Sequence, residues 1–222
     1  MQSLWLSLKL ASFVAAILLA VATPLAYWLA FTRTRAKFLF ESVVALPLVL
    51  PPTVLGFYLL VTLGSRGVLG KLWLALFGHT LAFTFEGLVI ASCVYSAPFA
   101  VQPLINSFES IDKKLLAASA VLGASRWRTF WRVIAPLALP GFITAAVLSF
   151  AHTLGEFGVV LMVGGDLPGI TQTASIEIYD RVQSLQYAAA NHLALVLLVI
   201  AFVVLSAVYA MNRKALSPWT AR

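Results

Sequence analysis

Residues 106–135 read NSFESIDKKLLAASAVLGASRWRTFWRVIA, a polar and basic stretch between two long apolar runs. Ser110 or Asp112 can cap a helix over Lys113–Leu122, and Gly123 can end it in the left-handed conformation. Ser125 can then cap a second short helix, Arg126–Ile134, which Pro136 is expected to stop. On that second helix Trp127, Phe130, Trp131 and Ile134 fall at i, i+3, i+4 and i+7, giving one aromatic and apolar face. Arg128 and Arg132 share another face. Two short helices cornered at Gly123 and Ala124, outside any apolar run, suit either a docking element for a partner or an amphipathic hairpin lying on lipid headgroups.

The flanks of this stretch decide the solvent. Five apolar segments are long enough to span a bilayer: Leu4–Phe31, Phe38–Leu63, Leu81–Ile105, Leu137–Val163 and Asn191–Met211. Of the 222 residues, 61% are hydrophobic and only 10% charged, against about 45–50% and about 25% in soluble domains. Mean hydropathy is +0.96. A water-soluble fold cannot bury that much apolar surface, so lipid is part of the solvent. The first segment resembles a signal peptide at Ala20-Val21-Ala22, but its apolar run is too long and the stronger basic cluster follows it. It is expected to remain as a span.

Basic residues set the orientation. Arg33, Arg35 and Lys37 follow the first span, Lys113, Lys114, Arg126, Arg128 and Arg132 follow the third, and Arg213, Lys214 and Arg222 follow the fifth. These are eleven of the fifteen Lys and Arg, and cytoplasmic loops retain such residues. The N-terminus is therefore expected outside and the C-terminus inside. The net charge of +7 is spread over these connections, which excludes a nucleic-acid patch. The outer connection Gly164–Ala190 carries Asp166, Glu177 and Asp180, a turn at Leu167-Pro168-Gly169 and a helix-compatible stretch from Ala174 to Ala189. The other, Gly64–Thr80, holds the run Leu69–Phe77, too short to span. Nothing marks a second domain, so residues 1–222 are expected to form one transmembrane unit.

Two places inside the spans break the apolar pattern. Pro47, Pro51 and Pro52 remove backbone donors within the second span, so the helix is expected to bend or open there. Freed backbone at membrane depth is tolerated only inside protein or beside a water-filled cavity. The prolines, with Thr53, are thus either part of a pathway or packing kinks. Gly155, Glu156 and Gly158 fall in the outer half of the fourth span. Glu156 is a poor ligand for an anion, and His152, one turn earlier on the same face, is available to pair with it. Helix fastening and gate control are both open roles for Glu156. His79, His192, Glu41 and Glu86 fall near span ends, where polar residues reach headgroups or water. The lone Cys93 excludes an intrachain disulfide. There is no G-x-x-x-x-G-K-[ST] phosphate loop, nucleophile–base set or metal-ligand cluster, so the chain is expected to be neither an ATPase nor another enzyme, and to hold no cofactor. An ATP-independent channel or membrane enzyme would leave the two short helices of residues 113–134 unexplained.

The stretch from Leu116 through Ala117, Ala118, Ser119, Gly123, Ala124, Ser125, Arg126, Trp127 and Arg128, followed by Val133, Pro136 and Pro140, resembles the EAA loop of ABC importer permeases. The resemblance implies an all-α permease of the type I importer fold with about five transmembrane helices, whose loop docks on a cytoplasmic ATPase. It departs from the family at Ala117, which stands where the motif has Glu. Contacts that need that carboxylate are absent; shape-dependent docking at Gly123 is not affected. The run Leu46–Gly56 and the run Thr153–Gly158 are similar to the molybdate permease branch, and Leu167-Pro168-Gly169 fits it. Sulfate, thiosulfate and tungstate permeases are the alternatives. By resemblance, two copies of this chain would join two ATPase subunits, which hold ATP and Mg, and a periplasmic oxyanion-binding protein in a bacterial inner membrane.

Overall fold

The computed structural model describes residues 2–216, and side chains within them except at 208, 209 and 211–216. Met1 and Arg222, at the two ends whose sides of the membrane the charge pattern predicts, lie outside the described residues, as do the side chains of Arg213 and Lys214.

The chain is helical, with no strand among the described residues. In order the helices are α1 (Gln2–Phe31), α2 (Lys37–Val49), α3 (Pro52–Leu63), α4 (Val68–Phe77), α5 (Phe85–Glu109) and α6 (Lys113–Val121). There follow α7 (Arg126–Leu137), α8 (Leu139–Leu154), α9 (Gly158–Gly164), α10 (Ala174–Gln183) and α11 (Tyr187–Leu216). Three of them, α1, α5 and the 187–207 part of α11, are long and apolar enough to cross a membrane alone. The expected five spans are reached only when the bent pairs α2–α3 and α7–α8 count as one each.

The centre is a triangle of α1, α5 and α8. Leu10, Val14, Leu18, Ala22, Ala26 and Leu29 form a buried stripe along α1 that meets Leu88, Val101, Leu104 and Phe108 of α5 and Ala145 of α8. Lipid is as apolar as these side chains, so association rests on close packing, which small residues permit. Gly141 is the clearest case, because a Cβ there would overlap the Ser107 side chain. At one end of the triangle Tyr27, Phe31, Phe108, Phe130 and Phe142 meet edge to face. Outside this core, α11 leans on α8 and α10, and Leu198, Val199, Phe202 and Val203 remain exposed, as suits a lipid-facing helix.

Several expected boundaries are corrected. The third span begins at Phe85, not Leu81, because Thr84 caps it by accepting from the Gly87 N–H at 3.2 Å. The predicted fourth span, Leu137–Val163, is interrupted at residues 155–157 and continues as the short α9. Pro136 does not stop the second loop helix: α7 runs through it to Leu137, and the chain bends by 71° at Ala138. A π turn over Phe130–Ile134 precedes the proline, with the Ala135 N–H reaching Phe130 O. That wider turn makes room for a ring that cannot donate. Helix α10 ends at Gln183, short of Ala189, because Leu185 takes a left-handed φ of 59° before α11 begins.

Candidate functional site

Two regions carry the candidate residues. The first is the corner between α6 and α7. Asp112 caps α6, accepting from the Lys114 N–H at 2.8 Å. At the other end the Gly123 N–H bonds Ala120 O at 3.0 Å and the Ala124 N–H bonds Ser119 O at 3.1 Å, with Gly123 at φ 71°. This pair of bonds around a left-handed glycine is a Schellman ending. Ser125 then caps α7, accepting from the Arg128 N–H at 3.3 Å, and the Ser119 and Thr129 hydroxyls join the two helices at 2.7 Å. Every bond that shapes the corner is therefore local.

The corner is presented outward. Ala117, Ala118, Gly123, Ser125, Arg126, Trp127 and Arg128 are exposed, Ala124 is half-buried, and Ser119 is turned inward. Nothing lies within 4 Å of where a Gly123 Cβ would stand. Val121 and Leu122 are 87% and 85% exposed, the most exposed apolar side chains of the corner. Sequence reasoning did not single them out; their signal is their place in the last turn, directly before the left-handed glycine. The predicted aromatic face of α7 is divided: Phe130 packs on Tyr27 with centroids 5.7 Å apart and Ile134 is buried, while Trp127 and Trp131 stay exposed, edge to face at 5.5 Å.

The second region lies where spans are broken. A residue before proline is pushed out of the helical region, and Leu50 and Pro51 both precede one. Their ψ values are 137° and 134°, so the chain opens between Val49 and Pro52, and α2 and α3 meet at 111°. Pro47 takes no part in the break; it is buried within α2. Pro52 starts α3, where its missing N–H costs nothing.

The two sequence-distant motifs meet here. Helix α3 packs on α9, and each contributes a glycine to the crossing. A Cβ on Gly158 would stand 2.8 Å from Pro52 Cβ, and one on Gly56 would stand 2.8 Å from Met162 Cβ. Gly158 is thus a packing glycine. Pro51, Pro52, Thr53 and Gly155 remain exposed on this crossing.

Glu156 sits in the interruption between α8 and α9 and is buried. The expected His152–Glu156 pair is not formed. His152 turns to α5, where its Nδ1 meets the Ser96 hydroxyl at 2.9 Å and its ring stacks on Phe99 at 4.1 Å. Ser96 also meets Thr153 Oγ1 at 2.9 Å, so one hydroxyl fastens α5 to α8 twice. Neither Glu156 carboxylate oxygen makes a formed hydrogen bond, although the buried Ser92 hydroxyl faces it from α5. The Glu156 carbonyl accepts from the Ser175 hydroxyl, which ties the interruption to the Gly164–Ala190 connection. Ser92 and Ser96 went unmarked in the sequence; two hydroxyls one turn apart in an apolar span were their signal.

In the Gly164–Ala190 connection, α10 is anchored by side chains. Burial works to raise the Glu177 carboxyl, but the Ser3 hydroxyl and Arg181 guanidinium bonded to it outweigh burial and hold its pKa below the usual value. Asp180 is raised, by a hydrogen bond shared with Asp166, by burial and by the Asp166 charge.

Residues 22–222 match the profile of the family described as binding-protein-dependent transport system inner membrane component. The chain is 55% identical over 208 residues to the molybdenum transport system permease protein ModB of Azotobacter vinelandii, covering 94% of this chain and 92% of that one. It is 40% identical over 183 residues to ModB of Escherichia coli, covering 82% and 80%. Among solved structures, a bacterial ABC transporter importing the acidic polysaccharide alginate aligns with TM-score 0.77 at 17% identity, over 97% of this chain and 79% of that one. The MetNI methionine ABC transporter, in an inward-facing conformation, aligns with TM-score 0.71 at 18% identity, over 96% and 94%. At these identities the structures speak for the fold alone.

Proposed function

The chain belongs to the family of binding-protein-dependent transport system inner membrane components, and from that premise we propose that it is the multi-pass permease subunit of an ABC importer carrying molybdate inward. The observation that carries the cargo is the near-full-length identity to a molybdenum permease. The observation that supports the mechanism is the meeting of two broken spans, at Pro51–Pro52 and Gly155–Phe157, through α3 and α9.

A tetrahedral dianion needs donors along its route but must not be held. At the opening of α3 Pro52 has no N–H and the Val54 and Leu55 N–H groups bond Pro51 O, so the donors on offer are the Thr53 N–H, at the positive end of the helix, and the exposed Thr53 hydroxyl. Without a fixed cation the anion is passed on rather than trapped. Glu156, buried in the interruption beside this crossing, fastens it through its backbone carbonyl or serves as a gate element, and is not a ligand. Two copies of the chain enclose the path in a bacterial inner membrane, with the α6–α7 corner cytoplasmic. ATP and Mg belong to two partner ATPase subunits, and a periplasmic oxyanion-binding protein delivers the cargo. ATP closes the ATPases, the corners move together and the path opens outward; hydrolysis returns it inward. At the corner, docking rests on the shape at Gly123 and on exposed Val121 and Leu122, since Ala117 supplies no carboxylate.

The deciding experiment is uptake of labelled molybdate by proteoliposomes holding this chain, its ATPase and its binding protein, with tungstate and sulfate as competitors. ATP-dependent molybdate uptake, blocked by tungstate and unaffected by sulfate at equal concentration, is expected. Uptake of sulfate in preference to molybdate overturns the cargo, and uptake without ATP overturns the importer reading.

A further inference from the structure

Beside the α6–α7 corner, an apolar groove of about 830 Å³ opens between the second half of α1 and the α7–α8 bend. Its floor includes Leu19, Pro24 and Tyr27 on one side and Phe130, Leu139 and Phe142 on the other, with Trp127 and Trp131 at its mouth. Cavities that hold small ligands run to about 300–1,000 Å³. From Leu19 to Tyr27 the groove follows about 12 Å of helix, at about 1.5 Å per residue, so it is elongated along α1. One charged side chain lines it, Arg126, and among the described residues no carboxylate pairs with that guanidinium.

We propose that this groove binds an anionic phospholipid of the bilayer, with one acyl chain lying along α1 and the headgroup phosphate on Arg126. Three features converge on that occupant. The lining is apolar along its length and charged only at one end, which is the polarity of a phospholipid and not of a polar peptide. The tryptophans at the mouth are the side chains that settle at the boundary between headgroups and hydrocarbon. Arg33, Arg35, Lys113 and Lys114 fall in connections that the charge pattern places on one side of the spans, and juxtamembrane basic clusters draw acidic lipids to that leaflet. Because the groove is walled by α1 on one side and by α7, the second helix of the corner, on the other, a lipid seated there holds the corner against the core.

The test uses the purified full-length permease in mild detergent, titrated with phosphatidylglycerol or with phosphatidylcholine of identical acyl chains, and read by native mass spectrometry. Wild type is expected to retain phosphatidylglycerol preferentially, and Arg126→Gln to lower that preference about fivefold, the weight of one basic residue near an anionic lipid. Arg128→Gln, which removes an equal charge from a residue outside the groove, is expected to leave it unchanged. Ala20→Leu, which narrows the groove, should weaken both lipids alike, and Ala135→Leu provides the same reading should that variant not fold. Equal loss from Arg126→Gln and Arg128→Gln would make the effect diffuse electrostatics and overturn the proposal. Undiminished binding in the narrowed variants overturns it as well, and so does conversion of a dimer to monomers by them, which would assign the groove to a second copy of the chain. None of these readings depends on the transported cargo.

Discussion

The α6–α7 corner and the crossing of α3 on α9 both turn on glycine, but for opposite reasons. At the corner, Gly123 is needed for its φ of 71°, and a Cβ there would meet open space. At the crossing, Gly56 and Gly158 have ordinary backbone and are needed because a neighbour occupies the space of a side chain. The first is a conformational requirement, written in consecutive residues. The second is a packing requirement, created by segments about a hundred residues apart.

The sharpest break of this comparison is to place the same side chain at both. Gly56→Leu should destabilise the protein by about 3 kcal/mol, the upper range for overpacking, seen as a lower midpoint of thermal unfolding in detergent. Gly123→Leu should cost about 1 kcal/mol, the left-handed penalty alone. Equal losses would erase the distinction.

Next in size is the fastening of α5 to α8. Ser96→Ala removes the hydroxyl shared by His152 and Thr153 and should cost about 1–3 kcal/mol in the same unfolding assay, because buried polar groups lose their partner. Gly123→Asp sharpens the comparison from the other side. Its intrinsic cost is about 1 kcal/mol, so the permease should insert and purify normally. Loss of ATPase subunits on co-purification would then report a clash with the partner, since this chain offers none; a fully coupled complex would sink the docking role.

Smaller effects are expected in the Gly164–Ala190 connection. Leu185→Gly should raise stability by up to about 1 kcal/mol, because the left-handed penalty of an exposed leucine is relieved. Asp180→Asn tests the carboxyl pair with Asp166. A carboxyl whose pKa is raised on folding favours the fold below its unfolded value and loses that contribution as pH rises through the folded value. The Asp180 contribution therefore falls as pH rises out of the acid range while that of the lowered Glu177 carboxyl grows, so the reading is the difference: the Asn variant should gain stability relative to wild type across that range. A relative loss in the variant would contradict the raised Asp180 carboxyl.

This contrast also explains what the sequence disclosed. Apolar run length disclosed the spanning segments, and Asp112, Gly123 and Ser125 disclosed the corner, because caps and left-handed endings are made by near neighbours. The break at Pro51–Pro52 was legible for the same reason, though not its 111° angle. Pro136 misled because the π turn that absorbs it is built from the residues before it and leaves no mark of its own. His152 and Glu156 misled more deeply. Their i, i+4 spacing promised a pair, but the helix ends at Leu154, and Ser96, Tyr95 and Phe99 of α5 compete for the imidazole. Tertiary partners outbid a local one, and no spacing within the fourth span encodes them.

The first helix carries a consequence for how the chain is made. Ser3 donates to Glu177, and the Ser7 hydroxyl accepts from the Ala174 N–H at 2.8 Å, partners 174 and 167 residues away. At about 5–20 residues per second on a ribosome, those partners emerge about 10–30 s after α1 does. Until then Ser7 can donate to the Ser3 carbonyl one turn earlier, as serines in apolar helices do, while Ser3, in the first turn of a helix that begins at Gln2, has no such helix carbonyl and keeps water as its partner. Helix α1 therefore enters the bilayer before its bonds to the Gly164–Ala190 connection can form, so a segment made before its partners is among the last to reach its final contacts.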